Sequence, residues 1–146
     1  MILKITFNPV TTPVSLNNTS AYEINKTLHS LKSKDSHGFD GVSTKILKNN
    51  APYIVSPLTY IFNRVLLTGI FPDRLKIAEV QHLFKNGDKT KLSKYRPISL
   101  LTSFSKIIEK IIYKRLYKYL NVNNILAPEQ FGFRKKSSTD MAIYTF

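Results

Sequence analysis

The stretch FKNGDKTKLSKYRPISL, residues 84–100, determines how the middle of the chain folds. Asn86-Gly87-Asp88 is a combination typical of turns, and Arg96 opens a run typical of a β-strand, near residues 96–101. The residues before the turn, Ile77 to Phe84, also lie between turn signals and favour a strand. The sequence therefore predicts an antiparallel pair of strands whose connection is strongly basic.

Helical periodicity dominates the rest of the sequence, so the predicted fold class is α+β. The pattern Ser20-Ala-Tyr-Glu23 is a capping box that indicates where the first helix begins. Predicted helices cover about Ser20 to Lys32, Val42 to Lys48, Pro52 to just before Gly69, and Ser103 to Leu120, and a last one starts near Ser137 to Asp140. The helix from Pro52 is expected to be largely buried. On the helix from Ser103, one side is expected to be formed by Phe104, Ile108, Ile111, Ile112, Leu116 and Tyr119.

Length and composition limit the classes of protein to consider. The chain has 146 residues with 42% hydrophobic content, which suits one ordinary domain with a core. It has no cysteine, so disulfides and thiolate metal sites are excluded, and its three histidines are too scattered to suggest a metal site. No apolar run approaches the roughly 18 residues that a membrane span needs. We expect no membrane association and an intracellular location, nuclear or cytoplasmic.

Charge is the first functional clue. Lys and Arg total 22 against 9 Asp and Glu, a net charge of +13, and the excess is concentrated between Arg74 and Lys118. A basic stripe of this kind attracts polyanions, most often nucleic acid. The alternative is that the lysines are ordinary solvated surface residues, above all the row Lys106, Lys110, Lys114 and Lys118.

Catalytic patterns do not emerge from the residues themselves. There is no close pair of aspartates of the kind that two-metal phosphoryl transfer uses, no Ser-His-Asp arrangement and no glycine-rich phosphate-binding fingerprint. Taken alone, the sequence describes a basic α+β binding module.

Several blocks nevertheless resemble one family, and they occur in its order. FKNGDKTKLSKYRPISLL (84–101), SKIIEKIIYKRLYKYL (105–120) and ILAPEQFGFRKKSSTDMAI (125–143) closely resemble the N-terminal part of the reverse transcriptases of non-LTR, jockey-like retrotransposons. LHSLKSKDSHGFDGVSTKILK (28–48) is similar to the opening motif of that family.

The resemblance implies the fingers subdomain of a right-hand polymerase: mostly helical, with a short antiparallel hairpin, the start of the palm, and truncation beyond it. Residues 1–19 would form an extended arm and residues 20–146 an incomplete reverse transcriptase domain. The family's catalytic, metal-binding aspartates would lie beyond Phe146, so this chain would hold no catalytic or metal residue and would be inactive alone. Mg²⁺ is expected for the full-length enzyme.

The resemblance also assigns binding roles. Lys85 and Arg96 match a basic pair that binds the triphosphate of the incoming nucleotide, although Arg96 could instead anchor the hairpin through Asp88. Positions that match nucleic-acid contacts are Gly132, Arg134, Ser137, Thr139, Lys106 and Arg115. For Arg134 a plain surface role is an equal alternative, and Asp140 is expected to be structural, at the start of a helix.

The expected partners are an RNA template, a DNA primer, a deoxynucleoside triphosphate, and the missing palm and thumb of the full polymerase. The alternative function is a free-standing basic module that binds nucleic acid without catalysis. A third possibility is structural: the fragment needs the missing palm, and an exposed apolar patch at its C-terminal end would support this.

Overall fold

The structure, a computed structural model, describes residues 13–127, 130–132, 134 and 137–144. The elements follow in the order α1 (Ala21–His29), α2 (Thr44–Asn49), α3 (Ala51–Thr68), α4 (Asp73–Lys76), β1 (Ala78–Phe84), a 3-10 helix (Leu92–Lys94), β2 (Tyr95–Leu101), α5 (Ser103–Val122) and α6 (Thr139–Tyr144). The chain divides into two compact units, one of residues 16–113 and one that includes the described residues from 114 on.

The core of the first unit is made by α1, α2, α3 and the first half of α5. Apolar residues recur on these helices every three or four positions, so each helix presents one apolar side to the others. Phe62 of α3 is 1% exposed, and Ile24, Leu28, Ile107, Ile108 and Ile111 are 0% exposed. The remaining buried members of this cluster are Leu47, Ala51, Leu58 and Val65.

The ends of the helices follow their local sequence. The hydroxyl of Ser20 accepts a hydrogen bond from the backbone N–H of Glu23 at 3.2 Å, which confirms Ser20 as the N-cap of α1. Ser43 caps α2 in the same way through the N–H of Ile46. Gly69 ends α3 with a φ of 69°, the left-handed conformation that glycine adopts without a steric penalty.

The two strands form one antiparallel sheet, as predicted, and the structure fixes its register. Ala78 lies opposite Leu101, and Phe84 lies opposite Tyr95. Most residues of both strands are exposed, and the sheet shows apolar side chains on both faces: Val80 is 54% exposed and Leu83 59%. The hairpin is therefore an open ribbon, with backbone hydrogen bonds and cross-strand pairs as its own sources of stability.

The base of the hairpin is locked to the helical unit by the loop that precedes α2. A Cβ atom on Gly38 would lie 2.9 Å from the backbone nitrogen of Thr102, so only glycine allows this approach. The hydroxyl of Ser103 donates to the carbonyl of Val42 at 2.8 Å, and that of Ser105 donates to the carbonyl of Leu75 at 2.7 Å. These contacts fix where the hairpin leaves the core.

The predicted mixture of helices with one antiparallel hairpin is confirmed, and several details differ. The first helix ends at His29 rather than near Lys32, because the chain tightens through a bond from the Leu31 N–H to the Leu28 carbonyl. The short helix α4 was not predicted. The connection between the strands is longer than a tight turn and contains a 3-10 helix. Much of the predicted extended arm, residues 1–12, lies outside the described residues; residues 13–19 contain no helix or strand.

Two predictions of burial are wrong in part. The helix α3 is buried on one side only, and its other side exposes Tyr53, Tyr60 and Leu67 by 70% or more. On α5, Leu116 is 41% exposed, whereas Ile107, which the predicted apolar side did not include, is fully buried. In α3 the buried stripe is narrower than the apolar residues alone suggest. In α5 the buried stripe is rotated from the side inferred from the apolar residues.

No helix within the described ranges combines the length and hydropathy needed to cross a bilayer.

Candidate nucleotide and nucleic-acid contacts

Lys85 and Arg96 lie on the same face of the hairpin. Arg96 is directly opposite Leu83, and the ladder continues past the strands with a 2.9 Å hydrogen bond from the Lys85 N–H to the Lys94 carbonyl. Side chains alternate between faces along a strand, so Leu83 and Lys85 share a face, and Arg96 shares it with them. Lys85 and Arg96 are thus diagonal neighbours across the ladder, a position in which backbone positions lie about 7–8 Å apart and long side chains can meet.

Both cations are exposed, and neither forms an ion pair within the part of the chain that the structure describes. The ion pairs found there are Lys45–Asp35 and Lys76–Asp73, and neither Lys85 nor Arg96 takes part. The alternative role of Arg96, anchoring the hairpin through Asp88, is not what the structure shows. Asp88 instead accepts hydrogen bonds from the hydroxyl of Thr90 at 2.7 Å and from its N–H at 2.9 Å.

These hydrogen bonds stabilise the charged form of the Asp88 carboxylate. The Thr90 hydroxyl, and after it the Thr90 N–H, therefore lower the pKa of Asp88 below its ordinary value of 3.8. Asp88 remains ionised and directed to its own turn, so it does not neutralise the basic pair.

The opposite face of the hairpin holds the connection in place. The rings of Phe84 and Tyr95 lie 5.4 Å apart between centroids, and the ammonium of Lys89 lies 5.7 Å from the centroid of Phe84. The Tyr95 hydroxyl donates to the Lys89 carbonyl at 3.0 Å. The connection is thereby tied to the aromatic face, which is not the face of Lys85 and Arg96.

Lys94 is a further cation on the face of Lys85, and the sequence argument missed it. Lys94 lies opposite Lys85, as the bond from the Lys85 N–H to the Lys94 carbonyl shows. Its aliphatic stem passes close to Gly87, where a Cβ atom would lie 3.5 Å from the Lys94 Cε. Counting alternation outward from the register would have found this residue, but the register has to be known first.

Four of the predicted nucleic-acid contacts come together in the second unit. Gly132, Arg134, Ser137 and Thr139 line one cavity of about 300 Å³. The other residues that line it are Phe131, Ser138 and Ala142. A guanidinium beside hydroxyl groups and an open glycine backbone is a set of donors suited to phosphate oxygens.

The guanidinium of Arg134 is positioned by the chain that precedes it. Its Nη1 donates to the Ala127 carbonyl at 3.1 Å, and the side chain is half-buried. The Ser138 hydroxyl accepts from the N–H of Met141 at the start of α6. The Arg134 side chain is therefore held in place by a hydrogen bond. Gly132 is open: no atom of the described residues lies within 4 Å of a Cβ built on it.

The two remaining predicted contacts lie on α5. Lys106 is half-buried in the first unit and lines a smaller cavity together with Lys32 and Lys34. Arg115 is half-buried in the second half of α5. The structure thus separates Lys106 from the hairpin pair and gives it a different basic neighbourhood.

The described residues do not fit a Mg²⁺ site. Among them, no three His, Cys, Asp or Glu side chains gather closely enough to hold a metal ion. The carboxylates of the hairpin region bind neighbouring side chains instead: Asp88 accepts from the Thr90 hydroxyl at 2.7 Å, and Glu79 accepts from the Gln81 Nε2 at 3.4 Å.

Comparison with known proteins decides the family. The profile of the family described as reverse transcriptase (RNA-dependent DNA polymerase) matches residues 85–144. The probable RNA-directed DNA polymerase from transposon BS of Drosophila melanogaster is 37% identical over 118 residues, which cover 80% of this chain. The chain belongs to the reverse transcriptases of non-LTR retrotransposons. The RNA-directed DNA polymerase from the mobile element jockey, also of Drosophila melanogaster, is 33% identical over 118 residues.

The chain corresponds to a small part of these reverse transcriptases. The matched residues make up 13% of the length of both the transposon BS and the jockey proteins. They make up 80% of this chain in each comparison. A third relative, the putative 115 kDa protein in the type-1 retrotransposable element R1DM of Drosophila melanogaster, is 36% identical over 120 residues, 78% of this chain and 11% of the relative. The family profile covers Lys85, Arg96 and the cavity around Arg134.

Proposed function

We propose that this chain forms the fingers and the beginning of the palm of an RNA-directed DNA polymerase, and that Lys85 and Arg96 bind the triphosphate of an incoming deoxynucleotide. The observation that carries the proposal is that these two cations are exposed on the same face of the hairpin. The chain that bears them belongs to a reverse transcriptase family. Their separation across one ladder suits a polyphosphate better than a single phosphate.

The chemistry of the two side chains is complementary. Arginine offers a planar fork of donors that can hold two oxygens of one phosphate, and lysine offers a compact charge. In phosphoryl transfer such groups position the phosphates and neutralise charge that develops in the transition state. Lys94, on the same face, adds a further positive charge to this field.

We propose in addition that the cavity of Gly132, Arg134, Ser137 and Thr139 contacts the sugar-phosphate backbone of template or primer. The support is that a guanidinium, hydroxyl groups and an exposed glycine line one cavity, with the Arg134 guanidinium held by the Ala127 carbonyl. Such contacts position a strand and do not read its sequence. Lys106 and Arg115 would contribute charge along α5.

The exposed end of the chain supports a partner in the longer polymerase. On α6, Ile143 is 71% exposed and Tyr144 89%, so this six-residue helix buries little apolar surface by itself. We propose that further palm residues cover it. The RNA template, the DNA primer and the thumb belong to the same proposal.

Polymerisation itself requires the metal-binding aspartates of the family. In the resemblance to that family, no residue of this chain matches these aspartates. We therefore expect the 146 residues alone to incorporate no nucleotide on a primed RNA template with Mg²⁺. A primer-extension assay tests this, and template-dependent incorporation would contradict it. An intracellular location also stays a prediction.

The triphosphate contact is tested by comparing thymidine mono-, di- and triphosphate. Nuclear magnetic resonance (NMR) titrations of the labelled chain are expected to show increasing affinity along this series, with shifts concentrated at the amides of the hairpin. Arg96→Lys should weaken triphosphate binding, because it keeps the charge and loses the fork of donors. Lys85→Gln should weaken it as well.

The control for charge alone is Lys91→Gln, a lysine of the same connection outside the proposed pair. It removes the same charge as Lys85→Gln and should leave triphosphate affinity nearly unchanged. If both variants lose affinity equally, the pair is not a site and the proposal fails.

The second candidate function is a basic module that binds nucleic acid without catalysis. The net charge of +13 favours it, since counterion release from a polyanion would make binding steeply dependent on salt. This function predicts binding of single-stranded RNA, and a rise in affinity from mono- to triphosphate that follows ligand charge and falls equally in Lys85→Gln and Lys91→Gln. The comparison of these two variants therefore separates the two functions.

A further inference from the structure

A second basic site lies in the helical unit, away from the hairpin pair in sequence. A cavity of about 200 Å³ is lined by Leu31, Lys32, Lys34, Ser36, Thr44 and Lys106. Three lysines thus come from two elements that are far apart in the chain, the loop after α1 and the first turns of α5. Nothing in the sequence pattern brings Lys106 to this loop.

The loop is held by its own hydrogen bonds, so its lysines have a fixed backbone. The Thr44 hydroxyl donates to the Lys32 carbonyl at 2.9 Å and accepts from the Lys34 N–H at 3.0 Å. The ammonium of Lys48 donates to the Leu31 carbonyl. Further along, Gly38 is pressed against the backbone of Thr102, just before α5 begins. The loop is therefore held to α2 near its start, and at Gly38 it lies against the residue that precedes α5.

No acidic residue is among the described residues that line this cavity. Asp35 directly follows Lys34 in the loop, and its carboxylate forms an ion pair with the Lys45 ammonium at 3.4 Å. Asp35 is not among the residues that line the cavity. Within the described ranges, Lys32, Lys34 and Lys106 form no ion pair. The nearest acidic group on α5 is Glu109: partial burial raises its pKa, and the positive charge of Lys106 opposes that rise.

We infer that this cavity binds a phosphate group, held by Lys32, Lys34 and Lys106 with the hydroxyl of Ser36. Three lysines that line one concave site, none of them in an ion pair within the described residues, suit the oxygens of a phosphate group. The volume of about 200 Å³ is large enough to admit one phosphate group.

The source of the phosphate that the chain favours is an internal phosphodiester of single-stranded nucleic acid. This choice rests on the proposed function, because a polymerase must hold a strand along its basic surface; the phosphate chemistry itself does not depend on it. A free phosphate or a terminal phosphate has the same chemistry, and the experiment below separates these sources from a strand.

The experiment titrates the full chain with two probes and follows its amide resonances by NMR. One probe is inorganic phosphate, and the other is a short oligouridylate with hydroxyl groups at both ends. Shifts at residues 32–36 and around Lys106 with the oligouridylate identify an internal phosphodiester. The same shifts with inorganic phosphate alone identify a free-phosphate site. No shift there with either probe overturns the inference.

Variants test whether these lysines form a site. Lys32→Gln combined with Lys34→Gln should weaken oligouridylate binding roughly tenfold at low salt. It should also reduce the slope of log affinity against log salt by roughly 0.7 for each phosphate neutralised. Both lysines are exposed, and their side chains make no hydrogen bond to another described residue, so the unfolding midpoint should not change.

The matched control removes equal charge elsewhere. Lys26, whose ammonium lies 6.0 Å from the ring centroid of Tyr22, does not line the cavity. Lys26→Gln should cost less affinity than either Lys32→Gln or Lys34→Gln alone. Equal losses for all three single variants would mean that net charge accounts for binding, and the site would be rejected. Because Lys85 and Arg96 are untouched, failure here leaves the triphosphate proposal standing, and the reverse also holds.

Discussion

The helical core and the β-hairpin of residues 78–101 are built on opposite principles, although both belong to the unit of residues 16–113. In the core, Phe62 and Ile108 are almost or completely inaccessible to water. In the hairpin, Val80 on one face and Leu83 on the other are more than half exposed, and the basic pair shares the face of Leu83. The core buries apolar surface, whereas the hairpin displays both apolar surface and charge.

This difference separates stability from function. Burial of apolar side chains is the main source of folding free energy, so the core should determine whether the unit folds. A two-stranded hairpin with both faces open contributes little to the free energy of folding. Its side chains remain accessible to a ligand. The link between the two is the close approach of Gly38 to Thr102 at the base of β2.

The largest expected effect comes from breaking the core. Phe62→Ala removes a ring that is 1% exposed and should lower the free energy of unfolding by about 3–5 kcal/mol. Leu83→Ala in the hairpin should change it by roughly 0.5 kcal/mol or less. Urea unfolding of both variants measures the contrast. Similar losses in the two variants would mean that the hairpin is part of the folding core.

The next effect comes from the link. Gly38→Ala would place a methyl group 2.9 Å from the Thr102 nitrogen, a backbone atom that cannot swing away. We expect a loss of about 1–3 kcal/mol in unfolding free energy, the usual range for overpacking. Gly132→Ala, at a position with open space around it, is the control and should be nearly neutral. A neutral Gly38→Ala would show that the hairpin is not locked to the core here.

A smaller effect is expected within the hairpin. Phe84→Leu removes the ring pair with Tyr95 and the contact with the Lys89 ammonium. The aromatic pair is worth about 0.5–1.5 kcal/mol. Hydrogen exchange should therefore speed up at the amides of β1 and β2 while core amides keep their protection. Faster exchange throughout the unit would contradict the separation of the two regions.

The smallest effect is a pH dependence of the turn. The pKa of Asp88 is lowered by its hydrogen bonds from Thr90, so the stabilisation they give is complete above the ordinary pKa of 3.8. It is lost as the pH falls through the lower, folded-state pKa. The Thr90 amide resonance should follow this titration, with a midpoint below 3.8. In Thr90→Val, which removes the hydroxyl and keeps the N–H, the midpoint should move up; an unchanged midpoint would show that the Thr90 hydroxyl is not the main cause.

The sequence was informative wherever a local rule determines the structure. Ser20, Gly69 and the Asn86-Gly87 turn each follow local rules of capping or turn formation, and the helix ends and the hairpin were predicted from them. The position of Lys85 and Arg96 in one hairpin followed from the same turn. Their common face follows from the register, which only the structure fixes to the residue.

Tertiary contacts were beyond the sequence argument. Exposure of Tyr60 and burial of Ile107 depend on which neighbours each helix meets, and periodicity alone does not supply the neighbours. The same limit hid Lys32 and Lys34, since only the fold brings their loop to Lys106. Lys94 was missed because its face depends on the register.

The most direct test of the central claim is one measurement: the unfolding midpoint of the chain with and without inorganic tripolyphosphate. A ligand that binds the folded state raises the midpoint by an amount that grows with the logarithm of its concentration relative to its Kd. The wild-type chain should gain stability with tripolyphosphate, while the double variant Lys85→Gln/Arg96→Gln should start from the same midpoint and gain much less. If the variant gains as much as the wild type, or already unfolds earlier without ligand, these two cations serve the net charge or the fold, and the account is wrong.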